Sequence, residues 1–302
     1  RAKASIYKDM LITRRSALLG GLSLAVASAA PFAATADPAA TARKINVAGR
    51  QRMLSQRIAM AASMARLGVD AGENLEVLRI ATTQFDAAQR ALRSGSEDFG
   101  LPEETHPSVL SALSRSDVTW AEMSIAADAI TSQGSVARQN FEDIAELNLK
   151  LLSRANIVVK KLVSAYSEDD RGGSGFGRAI DMAGRQRMLS QKMIKETALI
   201  GLNYRKSDNR DFLEETLTLF DDSLFKLMYG DEGEGIPEPP TEVFAKYQQV
   251  EALWLDLYPL MDETATLGRA DDFELSELSV SAFDLLRLSN EAVGLYERAW
   301  SS

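Results

Sequence analysis

The sequence predicts an all-α protein of two tandem antiparallel four-helix bundles. Three observations carry that prediction: an internal repeat, a helix-favouring composition, and chain breakers at regular intervals. Ala48-Gly49-Arg50-Gln51-Arg52-Met53-Leu54-Ser55-Gln56 returns unchanged as Ala183-Gly184-Arg185-Gln186-Arg187-Met188-Leu189-Ser190-Gln191. The same offset of 135 pairs Phe85-Asp86 with Phe220-Asp221 and Gly95 with Gly230. An offset of 134 then pairs Trp120 with Trp254 and Asn156 with Asn290. A register kept over so long a stretch is the mark of a duplicated unit. Hydrophobic residues make up 45% of the 302, aromatics only 7%, and long β-branched runs are absent, which favours helix on intrinsic propensity.

Residues 1–36 read as an export signal, with Met10 as the start of translation. A twin-arginine pair, Arg14-Arg15, precedes an uncharged apolar stretch at 17–30, and Ala34-Thr35-Ala36 offers a small-x-small cleavage site. The apolar stretch is shorter than the ~20 residues of a spanning helix. An ordinary secretory signal is the alternative to the twin-arginine type. Either one sends the protein out of the cytoplasm to the periplasm.

The first unit, 41–166, divides into helices at about 41–67, 73–94, 107–133 and 136–166. Gly68 and Gly72, the stretch from Ser94 to Pro107, and Gly134 separate them. A polar, glycine-rich linker follows at 167–175. The second unit, 176–302, repeats the pattern at about 176–205, 208–229, 240–266 and 270–300. Helices of this length with short joins form up-and-down bundles.

Composition also excludes whole classes of function. Without Cys there is neither a disulfide nor a thiolate metal site, and His106 alone makes no histidine cluster. No cofactor is expected. After residues 1–36 the chain carries a formal charge of −13, which repels a phosphate backbone, so nucleic acid is not an expected partner. No Ser/His/Asp, Cys/His or metal-ligand constellation is available, and the repeated Asp86 and Asp221 lie on a different helix from the motif. The expected protein is not an enzyme.

On a helical wheel Arg52 shares a face with Ala48, Gly49, Ser55 and Gln56, and Arg187 with Ala183, Gly184, Ser190 and Gln191. Small residues there let another helix approach closely. The opposite face, with Val47, Leu54 and Ile58, is the expected bundle core. Close contact along the small-residue face brings arginines together, and two guanidiniums at short range repel unless something negative lies between them. The planar guanidinium fork suits a planar oxyanion or a carboxylate. Most helical arginines simply reach solvent or a neighbouring carboxylate; identity of the motif in two diverged copies favours an anion site at Arg52 and Arg187. Arg50 and Arg185 suit ion pairs. The Phe85/Phe220 and Trp120/Trp254 pairs read as core anchors. Asn156 and Asn290 read as register-fixing polar contacts, with a donor role towards the first helix as the alternative.

On these motif residues the sequence resembles the N-terminal domain of type IV pili methyl-accepting chemotaxis transducers (PilJ-type), over both units. The motif is also similar to the first-helix signature of the nitrate/nitrite sensor histidine kinases of the NarX and NarQ type. That second resemblance implies nitrate bound by Arg52 and Arg187 at an interface of equivalent first helices. It further implies that Ala48, Gly49, Ser55, Ala183, Gly184 and Ser190 border the ligand. Unlike those sensors, this sequence shows no spanning helix after the bundle and no kinase or methyl-accepting module. The expectation is a periplasmic binding protein for a small oxyanion, nitrate or nitrite first, that reports to a membrane-bound sensor or transducer. Its alternative is a ligand-free helical module docking to an envelope signalling or pilus complex. The two copies pair either within one chain, as a pseudo-dimer, or between chains in a homodimer.

Overall fold

A computed structural model describes residues 38–166 and 176–301. The predicted export signal and the predicted linker lie outside the described residues. The described residues form one compact unit, whose eight helices are α1 Pro38–Leu67, α2 Ala71–Ser94, α3 Pro107–Gln133, α4 Arg138–Tyr166, α5 Phe176–Gly201, α6 Lys206–Tyr229, α7 Thr241–Leu267 and α8 Asp272–Ser301. The fold class is the predicted one, all-α. No described helix is long and apolar enough to cross a membrane.

Each group of four closes into an up-and-down bundle. In the first, α1 packs on α2 and α4, and α3 completes the ring; in the second, α5 packs on α6 and α8, and α7 completes it. The ring is pinned by equivalent aromatic pairs, with Phe85 stacked on Trp120 at 4.2 Å and Phe220 on Trp254 at 4.4 Å between centroids. Both phenylalanines are fully buried, so these pairs are the core anchors the repeat implied. Asp86 pairs with Arg90, whereas Asp221 accepts a hydrogen bond from the Trp254 indole.

The second and third helices of each copy are joined by a matching tight loop. Gly95 and Gly230 open it at φ 73° and 78°, and an added Cβ would strike the backbone nitrogens of Glu103 and Glu238 at 2.7 and 3.0 Å. Only glycine meets both demands. The predicted fifth helix runs past its observed end: α5 stops at Gly201, where Asn203 and Arg205 turn the chain with left-handed backbone angles. That turn matches Gly68–Asp70 of the first copy in shape without its glycine.

The most extensive packing among the described helices joins α1 to α5. Gly49 meets Gly184, Arg57 meets Gln191 and Leu67 meets Gly201, so the two helices run parallel and in register. The two copies therefore pair within one chain, as a pseudo-dimer about the α1–α5 seam. This corrects the division of the first helix into a core face and a contact face. Leu54 and Ile58 on one side and Ala48, Ser55 and Gln56 on the other are all buried, because α1 is core to its own bundle and to the seam at once.

Candidate functional site

The centre of the seam is where Gly49 and Gly184 cross. A Cβ built on Gly184 would lie 3.9 Å from the Gly49 Cα, and the reverse holds at the same distance. Only because both side chains are absent does room remain for the motif arginines. Arg52 Nη2 and Arg187 Nη2 both lie 3.3 Å from the point a Gly49 Cβ would occupy. Each guanidinium is thus tucked into the glycine notch, with Arg52 3% and Arg187 1% exposed.

The two arginines reach across the seam in opposite senses. Arg52 Nη2 donates to the Asp181 carbonyl at 3.2 Å, and Arg187 Nη2 donates to the Asn46 carbonyl at 3.4 Å. Positions 46 and 181 are equivalent in the repeat, but their side chains differ. Asp181 places Oδ1 2.7 Å from Arg52 Nη1, an ion pair, and Arg185 stands 3.7 Å from its other oxygen. Asn46 offers Arg187 no charge; its amide hydrogen bonds to Glu297 instead. Arg187 Nη1 donates to Asn290 Oδ1 at 3.2 Å. Among the described residues the Nε–H groups of both Arg52 and Arg187 are buried without an acceptor, and each is a donor whose desolvation is uncompensated.

Electrostatics follow the same asymmetry. Burial pulls Arg187 down to about 9, and the neighbouring Arg50 and Arg52 add to it, with Glu297 opposing. Arg52 is lowered too, chiefly by burial, against the pull of Asp181. Glu297 is raised by burial despite facing Arg187, Arg50 and Arg43. Around the notch, the four guanidiniums of Arg50, Arg52, Arg185 and Arg187 face the carboxylates of Asp181 and Glu297. The local excess is positive in a chain that is negative overall.

The rest of the motif holds the scaffold. Gln51 donates to the Phe85 carbonyl and to Gln89, and Gln186 to the Phe220 carbonyl and to Ser223, tying each first helix to the second. Ser55 and Ser190 donate to the carbonyls of Arg52 and Arg187 at 2.7 and 2.8 Å. Their hydroxyl protons are thereby engaged on the helix itself. Gln56 and Gln191 donate to the carbonyls of Asn148 and Ala282 on the fourth helices. These four residues share the arginine face, but their N–H and O–H groups serve the bundle. Gly49 and Gly184 lie next to both guanidiniums, and Ala48 and Ala183, their neighbours in the chain, are buried.

Lower on the seam lies a polar group found in the second copy only. Lys195 is buried and donates to Gln56 and Asn148 at 2.9 and 3.1 Å, with Glu196 3.7 Å away. Burial pulls Lys195 down to about 8. The equivalent residue in the first copy is Met60.

Sequence reasoning did not identify Asp181, Glu297 or Asn46 as neighbours of the arginines. It favoured a register role for Asn290, and the residue accepts a hydrogen bond from Arg187. The signal for Asp181 was present, since positions 46 and 181 carry the single change of charge within the repeated twelve residues from Ile45 and Ile180. What a wheel of one helix lacks is the register of its partner.

No curated protein matches the chain. The family described as type IV pili methyl-accepting chemotaxis transducer N-term (PilJ) matches residues 34–142 and again 173–278. The two matches fall on the two copies and together span well over half of the sequence; the chain belongs to that family, and carries its domain twice.

Proposed function

We propose that the protein is an exported, periplasmic sensor module that binds one small planar oxyanion, nitrate or nitrite, in the notch between Arg52 and Arg187. It passes occupancy to a membrane-bound sensor or transducer and catalyses no reaction. One observation carries the reading: two buried guanidiniums converge on a glycine crossing, each with an Nε–H that has no acceptor. A planar anion offers in-plane acceptors to such forks and relieves the repulsion between them. The likeness of the motif to nitrate sensors agrees with this choice of ligand. Because the notch is made from α1 and α5 of one chain, a single chain supplies both halves that separate subunits would otherwise bring together.

A second reading, a ligand-free module docking to an envelope complex, is favoured by one feature. Asp181 already neutralises Arg52. Calorimetry with nitrate, nitrite and acetate separates the two. Heat from the wild type that is lost in Arg187→Lys, which keeps the charge but loses the fork, supports the anion site. Silence with all three anions on folded protein supports the docking module.

A further inference from the structure

The pseudo-symmetry fails in the helix packing as well as at Asp181 and Lys195. α8 packs against α1, but its counterpart α4 makes at most glancing contact with α5. A cleft of about 550 Å³ opens there between α4, α5 and α6, with Arg52 in its wall. We propose that this cleft binds an organic monocarboxylate with an apolar chain, a ligand class distinct from the inorganic oxyanion of the notch.

Three features select that chemistry. Val159, Val163, Met188, Leu189 and Leu219 line the cleft, a surface that an inorganic ion leaves unsatisfied and an alkyl or aryl chain covers. Arg52, Lys160, Arg185 and Lys192 also line it; Asp181 pairs with Arg52 and Arg185, Glu196 pairs with Lys192, and Glu215 is the remaining acid, so one positive charge is left to hold an anion. Third, the symmetry-related position to Val163 is Glu297, the carboxylate that faces Arg187 in the other copy. The first copy presents apolar wall where the second has that internal acid. A carboxylate entering here from outside meets the exposed Lys160 and Arg185 and leaves the Arg52 Nε–H to the notch. Its chain then lies along Val163 and Met188. The volume falls within the range of small-molecule sites and is far larger than nitrate needs.

This inference does not depend on the nitrate reading, and the test keeps them apart. Octanoate is titrated into the full chain carrying 13C-methyl methionine, with Met188→Leu to assign the Met188 methyl. The expected result is a saturable shift of Met188, and a Kd about tenfold weaker in Lys160→Glu and in Leu219→Glu. Both substituted residues are exposed, so the fold is kept. Three results overturn the proposal: no Met188 shift up to roughly 10 mM octanoate, an equal shift with nitrate, or an unchanged Kd in both variants. Failure of the notch to take nitrate shows at the arginine resonances and leaves Met188 and octanoate unaffected.

Discussion

Asp181 lies 2.7 Å from Arg52 across the α1–α5 seam, at the position where the first copy presents Asn46 to Arg187. This substitution helps to make the two arginines unlike: Arg52 has Asp181 in contact as its counter-ion, whereas Arg187 meets the neutral Asn46 there and feels the charge of Glu297. An anion entering the notch is drawn first to Arg187 and competes with Asp181 for Arg52.

Replacing that competitor is informative. Asp181→Asn is expected to tighten nitrate binding by about tenfold, since one charge less opposes the guest. Without nitrate the same variant loses about 3 kcal/mol of stability, because a buried guanidinium is left without its carboxylate. Nitrate should restore part of the loss, with the melting temperature rising as its concentration rises. Calorimetry and thermal melts read both effects.

The glycine crossing sets the size of the notch. Gly184→Ala puts a methyl 3.0 Å from Arg52 Nη2, whereas Gly49→Ala puts one 3.3 Å from both guanidiniums. Both variants are expected to lose about 1–3 kcal/mol by overpacking, with the larger loss at Gly184. Both also displace the forks and weaken nitrate binding. Urea unfolding gives the stability order.

Asn290 and Asn156 occupy equivalent positions, but only Asn290 accepts a hydrogen bond from its motif arginine, at 3.2 Å. Asn290→Ala frees the Arg187 fork and is expected to weaken nitrate binding by about 1 kcal/mol. Asn156→Ala is expected to leave it unchanged. Paired titrations of the two variants check the asymmetry directly.

The fold was legible because duplication prints itself in the sequence twice. Helix boundaries followed from glycines and prolines, and the Phe/Trp pairs declared the core by recurring at a fixed offset. The small residues around Arg52 also announced a close helix contact. What one helix cannot reveal is who stands opposite. Asp181 approaches Arg52 only once α1 and α5 lie parallel with Gly49 on Gly184, a tertiary arrangement. Likewise Ser55 and Gln56 share the arginine face, but local carbonyls and the fourth helix claim their donors. The wheel mistook α1 for a two-faced helix for the same reason: a helix at the centre of two bundles is buried on all sides.

At the end of the first bundle, Lys44 and Glu104 form a buried ion pair at 3.0 Å. Burial alone pushes Glu104 up, but hydrogen bonds from Tyr166, the His106 backbone and Lys44 outweigh it and leave its carboxyl below the ordinary 4.5. A depressed carboxylate contributes stability that is fully present above its unfolded value and lost as pH falls through its folded value. Glu104→Gln should therefore be less stable than wild type at pH 7, with the gap narrowing below pH 4.5. Denaturant midpoints measured across that range test the sign.

The most direct test watches the two orphan donors. In protein labelled with 15N-arginine, nitrate is titrated while the Nε–H resonances of Arg52 and Arg187 are followed. Both resonances are expected to shift together, with one Kd, saturating at one nitrate per chain. Resonances of these two arginines that stay fixed while nitrate rises, in a folded chain, would contradict it.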